Sequence, residues 1–145
     1  MPPLALNEIL HSLTHAYKSG LRAGVKEHQI PLPITHIRAL KGIRRNPHCT
    51  AQSIAQRMQR DKAQITRVLN ELLQDGFISK SDNPEDRRSQ LLHLTKAGEK
   101  IVAQLDTIEQ KTSCAMTANL SDEEMTLFIR IANTMISNLS ADTSQ

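Results

Sequence analysis

The sequence predicts a mainly α-helical chain with one small β-hairpin, and three observations lead there. Apolar residues recur at three- and four-residue spacing through most of the 145 positions, the period of helices buried on one face. That pattern breaks only at two short segments, FISKS at residues 77–81 and SQLLHLT at residues 89–95, which read as strands around the turn formers Asp82, Asn83 and Pro84. Candidate caps and breakers divide the helical remainder into pieces of ordinary length.

Leu4, Leu6, Ile9, Leu10, Leu13, Ala16, Tyr17 and Leu21 form the apolar stripe of a first helix over residues 4–27. Gly20 and Gly24 weaken its end, and the run from Ile30 to Pro33 stops it. A second helix begins with Pro33 in its first turn, where the missing N–H costs nothing. It buries Ile34, Ile37 and Leu40, with Ile43 as a further candidate, leaves Arg38, Lys41, Arg44 and Arg45 outside, and ends at Asn46-Pro47.

Thr50 can cap a short third helix carrying Ile54, Ala55 and Met58. Asp61 can cap a fourth, with Gln64 three residues on in the capping-box position. Ile65, Val68, Leu69, Leu72 and Leu73 share one face of that helix, and Gly76 suits its C-terminal end. Two short helices around a tight turn, with small Ala55 where they would cross, match a helix-turn-helix. Gln59 occupies the turn where glycine is frequent, and taken alone these residues fit an ordinary pair of core helices as well. The hairpin supplies the missing context: helix, turn, helix and two strands is the order of a winged helix-turn-helix. Leu92 and Leu94 share one face of the second strand, Leu91 and His93 the other.

Two further helices follow. Thr95 can cap the first, with Ile101, Val102, Leu105, Ile108, Ala115 and Met116 facing inward. The second opens with the capping box Ser121-Asp122-Glu123-Glu124 and continues through Leu127, Phe128, Ile131, Met135 and Leu139. A helix of roughly 20 residues is about 30 Å long, and the first helix is too small to cover both stripes. A homodimer with interlocked terminal helices is the simplest expectation. The expected organisation is one domain over residues 1–145, with a winged helix-turn-helix lobe at 34–95 and dimerisation helices at 1–30 and 96–145.

Charge is unevenly placed although the net value is only +3. Between His36 and Asn70 lie Arg38, Lys41, Arg44, Arg45, Arg57, Arg60, Lys62 and Arg67 against the single acid Asp61. From Glu99 onward the sign reverses, with Glu99, Asp106, Glu109, Asp122, Glu123, Glu124 and Asp142 outnumbering Lys100, Lys111 and Arg130. A concentrated basic segment is the footprint of polyanion binding. Two phenylalanines, one tyrosine and no tryptophan give no base-stacking platform, so the expected target is a duplex backbone rather than single strands.

Other chemistries find little support. Cys49 and Cys114 lie far apart with no CxxC partner, which fits neither a disulfide framework nor a zinc ligand set and suggests a reducing compartment. The start MPPLALNEIL lacks a basic n-region and an apolar h-region, and no apolar run approaches a membrane span. A soluble, cytoplasmic protein is expected. His11 and His15, four apart on a helix, have no carboxylate or thiol at matching spacing, so a solvated or interface pair is expected rather than a metal site. Lys96 and Lys100 read as surface residues. With no catalytic order, metal set or phosphate loop, neither an enzyme nor a cofactor is expected.

The element order, together with ITRVLNELLQDGFISKSDNPEDRRSQLLHLTKAGEKI at residues 65–101 and its DRR, LT and later G, closely resembles the multiple-antibiotic-resistance regulator (MarR) family of bacterial transcription factors. The architecture matches over nearly the whole chain, the motif only over residues 65–101. The resemblance implies a triangular two-fold dimer with a winged lobe on each chain, a helix in the major groove and a wing in the adjacent minor groove. Many family members repress genes and release DNA on oxidation or on binding small, frequently phenolic or anionic, compounds.

Carried onto this chain, the resemblance makes residues 62–75 the recognition helix, with Lys62, Ala63, Gln64, Thr66 and Arg67 facing the groove. Their position opposite the apolar stripe agrees with that reading. Arg67 is a candidate for guanine or phosphate, Gln64 for adenine or merely for its own capping box, and Lys62 and Thr66 for phosphates. In the wing, Asp86, Arg87 and Arg88 match the family's acidic-Arg-Arg pattern. One arginine is expected in a narrow minor groove and the other on Asp86 or a phosphate. Oxidant-sensing relatives carry their cysteine near the N-terminus, so a buried, inert thiol is expected for both Cys49 and Cys114. The family's effector pocket corresponds to the first two helices and the start of the fifth, and the few aromatic residues argue against an aromatic cage. The competing reading is a winged-helix module whose basic face docks an acidic protein.

Overall fold

A computed structural model describes residues 3–142, with side chains over 5–141. The expectations placed on the side chains of Leu4 and Asp142 lie outside the described residues. The elements run α1 (Pro3–Glu27), α2 (Ile34–Arg45), α3 (Ala51–Met58), α4 (Lys62–Gln74), β1 (Ile78–Asp82), β2 (Gln90–Leu94), α5 (Lys96–Met116) and α6 (Asp122–Asp142). The chain divides into two compact units, Met1–Gln110 and Lys111–Gln145, the boundary falling inside α5.

In the first unit α1 ends in a Schellman closure, with Gln29 at φ 54° and the Ile30 N–H donating to the Val25 carbonyl. Gly24 does more than weaken this helix. A Cβ there would stand 2.4 Å from Cγ2 of Ile108 on α5, so the missing side chain lets the two helices approach. Pro33 takes the N-cap position of α2 rather than its first turn. Ile37, Leu40 and Ile43 are buried as expected, whereas Ile34 stays 39% exposed at the start of α2.

Thr50 caps α3 through a reciprocal box with Ser53, whose N–H it accepts and whose hydroxyl accepts the Thr50 N–H at 2.9 Å. The helix-turn-helix turn closes through Gln59 at φ 52°, with the Gln59 N–H on Gln56 and the Arg60 N–H on Ala55. A left-handed residue is therefore present, but it is glutamine and not glycine. Asp61 takes the N-cap position of α4 without a side-chain cap hydrogen bond, so the predicted box with Gln64 does not form. The far end of α4 closes as a Schellman motif: Gly76 donates to Leu73 and Phe77 to Leu72.

The hairpin lies one residue later than predicted at its first strand and pairs antiparallel in the register Ile78↔Leu94, Lys80↔Leu92 and Asp82↔Gln90. Two ties fix it to the helices. The Leu92 N–H donates to the Cys49 carbonyl at 3.0 Å, and the Thr95 hydroxyl donates to the Gly76 carbonyl at 2.6 Å while accepting the Gly98 N–H. Thr95 thus caps α5 as predicted and also closes the base of the wing. The core joins Ile37 and Leu40 of α2, Ile54 of α3, Ile65, Val68 and Leu72 of α4, Ile78 and Leu92 of the hairpin, and Val102 and Ile108 of α5. Each such side chain, fully buried, contributes about 1.5–3 kcal/mol.

In the second unit the box at the start of α6 forms as expected: the Ser121 N–H donates to Glu124 Oε1 at 2.9 Å, and the Glu124 N–H to Ser121 Oγ at 3.1 Å. These backbone and side-chain bonds hold the Glu124 carboxyl below its ordinary range. Ala115 and Met116, expected to face inward, are exposed in the single chain. The α6 stripe is likewise open, with Phe128 51% and Leu139 71% exposed.

Candidate nucleic-acid interface

The sequence of α4 divides its surface sharply. Ile65, Val68, Leu69 and Leu72 are buried, which turns Lys62, Ala63, Thr66 and Arg67 to the exposed side of the first turns, with Gln64 half-buried beside them. The Thr66 hydroxyl donates to the Lys62 carbonyl at 2.8 Å, so the threonine is spent locally until a competing acceptor arrives. The N–H groups of the first turn lack a capping side chain at Asp61. Such donors, at the positive end of the helix dipole, suit an anion.

The wing tip is organised by its own polar side chains. Asn83 Oδ1 accepts the Glu85 N–H at 3.1 Å, and Asn83 Nδ2 donates to Ser89 Oγ at 3.1 Å. Asp86 Oδ1 accepts the Arg88 backbone N–H at 2.9 Å. Asp86 therefore steadies the arginine segment through the main chain; of the two partners expected for the second arginine, Asp86 or a phosphate, Asp86 makes no ion pair with it among the described residues. Among the described residues neither Arg87 nor Arg88 has an ion-pair partner, and both are exposed. Cys49, just ahead of α3, is fully buried with its thiol directed at the Leu92 carbonyl. Burial pushes that thiol above its ordinary range, as suits an inert packing residue. Cys114, expected to be buried as well, is exposed. His11 and His15 are exposed, and no group of three metal-ligating side chains occurs among the described residues.

Three contacts escaped the sequence reading. His36 of α2, buried, places Nε2 2.6 Å from Oε2 of Glu71 on α4, 35 residues away; the ring N–H donates to the carboxylate. Lys41 donates to both carboxylate oxygens of Glu109, and Arg44 forms a bidentate pair with Asp106 at 2.5 and 2.9 Å, tying α2 to α5 across 68 and 62 residues. The basic segment is thus divided: Lys41 and Arg44 serve the packing, while Arg38, Arg45, Arg57, Arg60, Lys62 and Arg67 remain exposed. Beside these pairs α1, α2, the end of α3 and α5 line an open cavity of about 540 Å³.

Fold and site together define a winged helix-turn-helix protein with long flanking helices. The MarR family profile matches residues 32–90. The uncharacterized HTH-type transcriptional regulator YwhA of Bacillus subtilis is 30% identical over 130 residues, 88% of this chain and 92% of that protein. The regulator BilQ of Clostridioides difficile is 33% identical over 82 residues, and there the match spans only 55% of the relative's length. Among solved structures, a mutant of E. coli MarR complexed with operator DNA superposes with a TM-score of 0.75 at 21% identity over 90% of this chain and 93% of that one. A MarR family protein from Bacillus stearothermophilus superposes at 0.82 with 16% identity over 94% of each chain. The chain belongs to the MarR family. No helix among the described residues is long and apolar enough to cross a membrane.

Proposed function

We propose that the chain is a dimeric, cytoplasmic, sequence-specific regulator that binds pseudo-palindromic duplex DNA, acting as a repressor that a small effector releases. The observation that carries this reading is the polar face of α4, with exposed Lys62, Thr66 and Arg67 and half-buried Gln64, held on the same core as a wing whose Arg87 and Arg88 guanidinium groups form no ion pair among the described residues. A helix N-terminus of this kind suits the major groove, and a free guanidinium on a hairpin tip suits a narrow minor groove. The structural neighbours described as MarR with operator DNA and as an S. aureus MepR-DNA complex support it by analogy. The dimer rests on the open apolar stripe of α6, since Phe128, Ile131, Met135 and Leu139 lack cover in one chain. The effector site is the cavity between α1, α2 and α5.

Replacing both Arg87 and Arg88 by alanine tests the interface. Affinity for duplex DNA from the chain's own promoter region should fall by about 30- to 25,000-fold, at roughly 1–3 kcal/mol for each of the two residues lost, with helicity and oligomeric state unchanged. An unaltered chain with no duplex affinity to lose points instead to a winged-helix protein-docking module.

A further inference from the structure

His36 of α2 is the buried polar side chain of the fold, and its ring makes a single hydrogen bond. Nε2 meets Glu71 Oε2 at 2.6 Å, while the enclosed Nδ1 has no partner among the described residues. The ring N–H belongs on Nε2, with the carboxylate as its acceptor. Glu71 in turn stands on the recognition helix with its side chain 52% exposed. It follows exposed Arg67 by four residues, a spacing at which opposite charges on a helix are neighbours and attract. Within one turn of Arg67 on α4 it is the sole acid, yet Arg67 forms no ion pair among the described residues. Two groups compete for one carboxylate, and burial decides between them. An enclosed donor that loses its acceptor keeps the whole cost of its desolvation, and a bond to a charged acceptor is a strong one. An exposed guanidinium that loses a carboxylate is rehydrated, and its pair is screened by salt. The carboxylate therefore goes to His36.

We infer that His36 is a positioning residue for duplex recognition: by holding Glu71 it keeps the carboxylate off Arg67, so that the arginine meets the duplex with its donors free. This rests on the regulator reading of α4 and adds a residue that itself touches no DNA. A carboxylate on Arg67 would occupy the N–H groups that a guanine edge or a phosphate requires. The clamp has a fixed base, because Lys41–Glu109 and Arg44–Asp106 tie α2 to α5 beyond His36. Buried on one helix and bonded to the next, His36 sets which of two charges on α4 stays available.

The test reads Arg67 directly. In the full chain with isotope-labelled arginine, the Nε–H resonance of Arg67, assigned by its loss in Arg67→Lys, is followed by NMR. Affinity for duplex DNA from the chain's own promoter region is measured on the same samples. Glu71→Gln alone should leave the Arg67 resonance nearly in place, because there is no pair to break. His36→Leu, which removes the donor and keeps an apolar side chain, should shift that resonance and lower duplex affinity about 5- to 10-fold for a dimer, the strength of one exposed helix pair on each chain. Adding Glu71→Gln to His36→Leu should abolish both effects. His36→Gln, whose amide N–H replaces that of the ring, should restore most of the affinity lost in His36→Leu. A large shift of Arg67 on Glu71→Gln alone shows the pair already formed and overturns the proposal with His36 untouched. An unmoved Arg67 resonance in His36→Leu overturns it, and so does an affinity loss that persists when Glu71→Gln is added, which marks His36 as packing only. If the unaltered chain does not bind duplex DNA, the regulator reading fails separately, and the Arg67 spectra still decide whether His36 holds Glu71 away.

Discussion

At Gly98 the packing leaves no room for any side chain. A Cβ there would lie 2.2 Å from the Phe77 carbonyl oxygen, a backbone atom at the base of the wing that cannot swing aside. Gly98→Ala should therefore destabilise the fold by about 1–3 kcal/mol, the range for overpacking, seen as a lower urea midpoint with an unchanged slope. An alanine variant as stable as the parent would show that α5 and the wing are less closely seated. The glycine of the LT-then-G pattern was legible in the sequence; its reason was not, because the close approach joins residues from different elements. The same holds for Asp86. Its presence before Arg87 and Arg88 was readable, but only geometry reveals that it accepts a backbone N–H.

Element boundaries were largely readable because they depend on local chemistry. Thr50, Gly76, Thr95 and Ser121 each act at the helix end assigned to them. Asp61 failed that test, occupying the N-cap of α4 without making the bond. In the turn, Gln59 carries a left-handed conformation that disfavours a side chain by about 1–2 kcal/mol, partly offset by the greater entropy glycine loses on folding. Gln59→Gly should raise stability by about 0.5 kcal/mol in urea unfolding; a loss of stability would mean that the Gln59 side chain is doing something the backbone does not reveal. The pairs between α2 and α5 were invisible in sequence because 62 and 68 residues separate the partners.

One of those pairs predicts a pH dependence. The Arg44 guanidinium, first through its hydrogen bonds, holds the Asp106 carboxyl below its ordinary value of 3.8. A depressed folded-state value means that the contribution is complete above that ordinary value and is lost as the pH falls through the depressed one. Both side chains are substantially exposed, so screening limits the effect to about 0.2–1 kcal/mol. Asp106→Asn should be slightly less stable than the parent at neutral pH, and the two should converge in acid below the ordinary carboxylate range. A constant gap across that range would contradict the assignment.

At the scale of the molecule, sequence order identified the fold, since a hairpin directly after two short helices admits few arrangements. Open apolar side chains on α6 were equally readable as a stripe, because a 3.6-residue period does not depend on what covers it. The expectation that Ala115 and Met116 face inward is not met within one chain. The division of the basic segment was not readable either, since charge counts cannot tell which cations are already paired. The proposed function requires the exposed cations of α4 and the wing to neutralise duplex phosphates. Its most direct test is duplex affinity, on the chain's own promoter region, as a function of salt. A dimer neutralising about 6–10 phosphates should lose about 10³- to 10⁵-fold in affinity between roughly 50 and 200 mM salt. An affinity unchanged over that interval would contradict it.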